Sequence, residues 1–378
     1  MQSKVLRSLL EQTWKSPVFG DSFSPDVSLN AANVVQQIDA IAKTFSQDIS
    51  AALAVGMPHA APQEIAHIVK QIAPKTVSFC PALAAGELHD NEKLSAFAVA
   101  IGLMYWGDQT MDRGDRAMPL AIQLFGGDDV SLPADHAQKA RAQARALAGI
   151  AEKIAFFAKP EDVPFVLACF REQVLVNEVR VQELSQQYRA AANKEVFLNQ
   201  HAKELASLIT IDAGFPSVSS SLYALYRQQD PSLPPLSVVY AHSAMTELLQ
   251  VCNVVVRILD ELGDWKMDAG DHPEWGVFTI NPFNQPNEAF VSELLRLGRI
   301  DQKLIDNFVH FHDSPQKRKH HIGHVTKVLT NHIKHYITSL PATPFNQYVA
   351  LCKRVLEIGY VNRVGDMQLA YENKNTGV

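Results

Sequence analysis

Val251-Cys252-Asn253-Val254-Val255-Val256-Arg257-Ile258-Leu259-Asp260-Glu261-Leu262-Gly263-Asp264-Trp265-Lys266-Met267-Asp268 passes from an almost wholly apolar half into one with an aspartate at every fourth position. At 3.6 residues per turn, positions 260, 264 and 268 drift only about 80° around a helix over two turns, so one stripe carries three carboxylates. Magnesium takes octahedral oxygen ligands shared among a few carboxylates, water and phosphate, and such a stripe suits it. Like charges four apart destabilise a bare helix, and a bound cation removes that repulsion. A plain exposed acidic face is the alternative for the same residues.

A related pattern stands earlier, in Tyr105-Trp106-Gly107-Asp108-Gln109-Thr110-Met111-Asp112-Arg113. Asp108 and Asp112 fall on one helical face about 6 Å apart along the axis. The residues before them, Ala98, Val99, Ile101, Leu103, Met104 and Trp106, are apolar almost all round, which predicts a central helix whose acidic end opens into a cleft. A solvated helix end is the alternative here too.

Outward from these motifs the helical period persists. It predicts helices over 31–54, 62–72, 92–112, 134–157, 164–188, 194–213, 237–268, 288–297, 303–311, 319–338 and 346–371. Glycines and prolines stand between the segments, as at Gly126-Gly127, Pro231 through Pro235 and Pro282 through Pro286. Strand-like alternation is almost absent, so the expected fold is an all-α bundle, read as a single domain over 1–378 around an apolar cavity.

Composition narrows the function. The chain has 378 residues, 47% apolar and 20% charged, within the ordinary globular range. Its net charge of −6, from 34 basic and 40 acidic residues, offers no general attraction to nucleic acid. No segment combines the length and apolarity of a spanning helix, and the N-terminus lacks a signal-peptide apolar region, so a cytoplasmic location is expected. Cys80, Cys169, Cys252 and Cys352 lie far apart without a CxxC pair and read as reduced core residues.

At the two aspartate motifs the chain resembles the class I terpene synthases. It departs from their most familiar members in two places. Gln109 stands where a second aspartate is usual, and Asp260, Asp264 and Asp268 replace the Asn, Ser or Thr, and Glu triad. It is more similar to the class IB large-terpene synthases related to tetraprenyl-β-curcumene synthase. Besides the motifs, Glu204-Leu205-Ala206, Asp212-Ala213-Gly214-Phe215-Pro216-Ser217 and Ser221-Leu222-Tyr223-Ala224-Leu225 carry that likeness. The resemblance spans most of 95–275; the N-terminal third and the last hundred residues contribute no recognisable motif.

The resemblance implies a helical bundle binding three Mg2+ ions and a prenyl diphosphate, C15 or C20 first and longer chains also admitted. Asp108 and Asp112 then serve one metal pair, and Asp260, Asp264 and Asp268 the third ion. Arg113, Arg180, Arg257 and Arg363 are candidates for the diphosphate clamp, since a guanidinium fork matches phosphate oxygens; a structural ion pair is the competing role for Arg113 and Arg257. Tyr105, Trp106, Gly214, Phe215, Tyr223 and Trp265 are expected to line the pocket, with Gly214 and Pro216 breaking a helix so that its carbonyls face a carbocation. Residues His272 to Phe278 are a candidate lid, and a homodimer is an admissible assembly.

Rival readings rest on less. A di-iron bundle needs two Glu-x-x-His motifs, and Glu64-Ile65-Ala66-His67 has no second. His89-Asp90 alone is a weak sign of a phosphohydrolase. A chain-elongating or head-to-head prenyltransferase of the same fold, and a non-catalytic helical lipid-binding or scaffold protein, remain the alternatives.

Overall fold

The apolar residues Ile41, Phe45, Ile49 and Leu53 recur every fourth position and are each wholly removed from solvent, the pattern of a helix burying one stripe. They belong to the first helix of a computed structural model that describes residues 32–77, 88, 90–112, 137–175, 180, 182–212, 214–271, 287–301, 331–332, 335–336, 345–352 and 355–356. Over 108–112 and 259–271 the backbone alone is described. Among the described residues all regular structure is helical, as the period predicts, and no helix is long and apolar enough to cross a membrane.

In chain order the helices are α1 (Ala32–Gly56), α2 (Pro62–Val77), α3 (Asn91–Asp112), α4 (Ala137–Phe157), α5 (Val163–Leu175), α6 (Gln182–Ala190), α7 (Lys194–Asp212), α8 (Phe215–Gln229), α9 (Leu236–Tyr240), α10 (Ser243–Asp271) and α11 (Glu288–Leu297). The stretch read as one helix over 164–188 is helical wherever it is described, in α5 and α6. The one read over 237–268 is two, because a turn at Ala241-His242 separates α9 from α10. Helix α8 was not among the segments expected from periodicity. Serine hydroxyls compete for backbone bonds and weaken a helical signal, yet here Ser217, Ser219, Ser220 and Ser221 lie inside. The segment expected over 303–311 lies outside the described residues.

The chain divides into two compact units, Met1–Val174 with Ser217–Val238, and Leu175–Pro216 with Val239–Val378. In the first, α3 packs against α1, α2 and α4, and α1 also meets α2 and α4. Close approach is possible because glycines stand at the crossings. A Cβ on Gly102 would lie 3.1 Å from the Phe45 ring and 3.2 Å from Ile72, and one on Gly56 only 2.5 Å from Cη2 of Trp106. Helix α3 is consequently buried on every side from Leu94 to Met104.

In the second unit α7 packs against α6, α10 and α11, and α10 against α11. Helix α11 starts on Asn287, whose side-chain oxygen accepts from the Phe290 amide at 3.0 Å, and buries Phe290, Val291, Leu294 and Leu295. Its end turns at Gly298, where a Cβ would come within 2.6 Å of Val254 on α10.

Candidate active site

The helix bearing the first acidic pair begins on Asp90, whose Oδ1 accepts from the Lys93 amide at 3.1 Å. A carboxylate there satisfies an orphan amide and complements the helix dipole. Asp90 also pairs with Lys93 at 3.5 Å, so the acid of the His89-Asp90 dipeptide is a helix cap; His89 lies outside the described residues. From this cap α3 runs inward and continues without a break through Asp108 and Asp112. Tyr105 is half-buried. Trp106 is 3% exposed, its ring over the backbone of Gly56, so it fills the packing between α1 and α3.

Helix α10 behaves alike. Thr246, Glu247 and Gln250 are exposed, but Val251, Cys252, Asn253, Val254 and Val255 are all buried, so a surface helix becomes enclosed on every side. It then continues as one helix through Asp260, Asp264 and Asp268 to Asp271. The backbone thus places the three aspartates on the stripe expected of them. Their side chains, those of Asp108 and Asp112, and that of Trp265 lie outside the described residues, as do Arg113, Arg363 and the lid segment 272–278. Among the described side chains no group of three His, Cys, Asp or Glu is placed to hold a metal.

The two described arginines differ in setting. Arg180 is tied to acids on the surface of the second unit, with Nη2 2.5 Å from Glu204 and Nη1 2.9 Å from Glu183. Those two bonds, to Glu183 and then Glu204, raise its pKa further. Burial pushes the Glu204 carboxyl up, but the bonds from Arg180 and His201 outweigh it and leave the pKa below the usual value. Arg257 is half-buried on α10, one turn before Asp260.

The expected break between helices is present. Helix α7 ends at Asp212, Gly214 adopts φ 68°, and its amide donates to the Ile211 carbonyl at 3.3 Å. This left-handed conformation favours glycine and ends a helix. Helix α8 starts at Phe215, with Pro216 in its first turn, where no intrahelical amide is needed. Phe215 is 2% exposed and Tyr223 1% exposed, and the Tyr223 hydroxyl donates to the Pro234 carbonyl at 2.9 Å. That bond fixes Tyr223 in the packing of α8 against the loop before α9. A cleft in the same unit, lined by Leu88, Asp90, Lys93, Leu94, Leu225, Gln228 and Gln229, has room for only a few waters.

Two features were beyond sequence reasoning. Asp162, Arg227 and Leu236 converge although they are far apart in the chain. Asn253, which in sequence only interrupts an apolar run, is 7% exposed with Oδ1 lacking a hydrogen-bond partner among the described residues. The signal available for it was a lone amide in the most apolar part of α10. No protein-family model matches the chain, and no curated protein sequence matches it.

Proposed function

We propose that this chain is a magnesium-dependent class I terpene synthase that ionises and cyclises a linear prenyl diphosphate, C15 or C20 first, with release of diphosphate. One observation carries the reading. Two helices, α3 over Leu94–Met104 and α10 over Val251–Val255, are buried on every side and then continue unbroken into aspartates spaced four apart. An acidic stripe on a surface helix needs no ligand. Acids on the continuation of a helix that has been enclosed are candidates to hold a cation, because uncompensated charge near an apolar interior is costly.

The donor set fits the metal. Asp108 and Asp112 on one helix and Asp260, Asp264 and Asp268 on the other supply only oxygen ligands, in incomplete sets that leave coordination sites for water and phosphate, as magnesium requires. Bound there, magnesium supplies Lewis-acid stabilisation of the departing diphosphate. Arg257, on the stripe of the second triad, is assigned to the phosphate oxygens by its place on that helix.

The test incubates the purified protein with geranyl, farnesyl, geranylgeranyl and geranylfarnesyl diphosphates, with and without magnesium, beside Asp108→Ala and Asp264→Ala. Organic extracts are analysed by gas chromatography and mass spectrometry. A magnesium-dependent cyclic hydrocarbon or alcohol, absent from both variants, is the expected result. Longer linear diphosphates formed with added isopentenyl diphosphate would make the protein a prenyltransferase. Inertness without magnesium-dependent diphosphate binding would return it to the scaffold class.

A further inference from the structure

Asn253 is more than nine-tenths buried, and its side-chain carbonyl has no hydrogen-bond partner among the described residues. Buried amide oxygens are seldom left so, because removing them from water without a new donor is costly. The residues beside it in the chain, Val251, Cys252, Val254 and Val255, are buried too, so this stretch of α10 is closed to solvent.

Its place on the helix gives the orphan oxygen a use. With 100° between successive residues, Asn253, Arg257, Asp260, Asp264 and Asp268 fall within a stripe about 80° wide on α10. Asn253 heads that stripe. It lies seven residues, about 10 Å along the axis, before Asp260. A ligand with its diphosphate at the aspartates and its hydrocarbon along α10 toward the buried stretch would therefore pass Asn253 with chain carbons, several bonds from the phosphate. Hydrocarbon cannot donate a strong hydrogen bond, but a carbocation on it is attracted to the negative end of a carbonyl dipole.

We propose that Asn253 contacts the hydrocarbon part of the substrate and that its Oδ1 stabilises positive charge on the chain after ionisation, so that it helps to decide which cyclic product forms. The inference rests on the terpene synthase reading and extends it to a position outside both aspartate motifs. An oxygen placed to meet a charge that exists only during the reaction is left without a partner in the resting protein, and the orphaned state is what this role demands. No proton is transferred and no bond to Asn253 forms or breaks.

The experiment compares the unsubstituted chain with Asn253→Leu and Asn253→Ala in the presence of magnesium, using whichever prenyl diphosphate the unsubstituted chain consumes. Diphosphate release, the product spectrum and the melting temperature are measured. Leucine is close to asparagine in size and removes an unpaired polar group from apolar surroundings, so Asn253→Leu is expected to keep or raise the melting temperature. It is expected to lower kcat about tenfold with KM unchanged, and to shift products toward linear or less cyclised skeletons. Should the leucine variant not fold, the smaller alanine carries the same prediction. Variants with an unaltered product spectrum and kcat within about twofold overturn the role of Asn253 while leaving the cyclase reading intact. An unsubstituted chain inert toward every prenyl diphosphate overturns the cyclase reading itself, and the role of Asn253 with it.

Discussion

Arg227 on α8 donates from Nη1 to the carboxylate of Asp162, and both side chains are shut away from water, at 5% and 0% exposure. The other Asp162 oxygen accepts the Leu236 amide at 2.9 Å, and Nε of Arg227 donates to the Leu233 carbonyl at 3.0 Å. The pair thus closes the turn before α5, the last turn of α8 and the loop leading into α9 into one network within the first unit. Breaking a buried pair leaves one charge uncompensated, which costs far more than the intact pair contributes. Asp162→Ala is expected to lower stability by about 3–5 kcal/mol, and the double variant Asp162→Ala/Arg227→Met by less than the sum of the single losses. Urea unfolding of the three variants checks both statements.

Beside this network the Tyr223 phenol is pushed up to about 12, first by burial. The group is neutral in both states at neutral pH, where Tyr223→Phe removes the bond to Pro234 and is expected to cost about 1 kcal/mol. Above pH 10 the unfolded phenol ionises while the folded one holds its proton. The unfolded state then binds fewer protons, and the Tyr223 contribution falls as pH rises from about 10 to about 12. The stability gap between the parent and Tyr223→Phe should therefore narrow across that window in chemical denaturation at stepped pH.

The arginines should separate in kinetics. Arg180 is partly exposed and held by Glu183 and Glu204, so Arg180→Gln is expected to cost less than about 1 kcal/mol of stability and to leave kcat/KM within about threefold. Arg257→Gln removes a charged phosphate partner and should lower kcat/KM about a hundredfold. Steady-state diphosphate release measures both. Equal losses in the two variants would mean that Arg257 and Arg180 play the same part.

Cys252 on α10 lies in contact with Cys352, and burial, then that contact, pushes the Cys252 thiol well above its ordinary value. Cys169, Cys252 and Cys352 are buried and in no disulfide. Burial keeps a thiol reagent from all three, so they should be inert to it in the native protein at neutral pH and react once the protein is denatured. Counting modified cysteines by intact mass before and after denaturation tests this.

What the sequence determined by itself follows from interactions local to the chain. A helix bonds each residue to one four positions away, so a stripe such as Ile41, Phe45, Ile49 and Leu53, the glycine stop at 214 and the common face of Asp260, Asp264 and Asp268 were all legible from spacing. Helix α8 escaped because its buried residues include Ser217, Ser219, Ser220 and Ser221. Serine becomes compatible with an interior only when the fold supplies acceptors: the Ser217 hydroxyl donates to Gln173 at 2.9 Å, and that of Ser221 to the Ser217 carbonyl at 2.6 Å.

Tertiary structure alone decided which polar residues pair and which stand isolated. Asp162 and Arg227 are 65 residues apart, and nothing local to either distinguishes it from a surface charge. The five aspartates were visible as positions, whereas the burial of α3 and α10 just before them, on which their proposed chemistry depends, arises only when other helices close around them. Asn253 is the sharpest case. Its identity is written in the chain, but its lack of a donor belongs to the packed interior, because burial removes the water that would otherwise have bonded it.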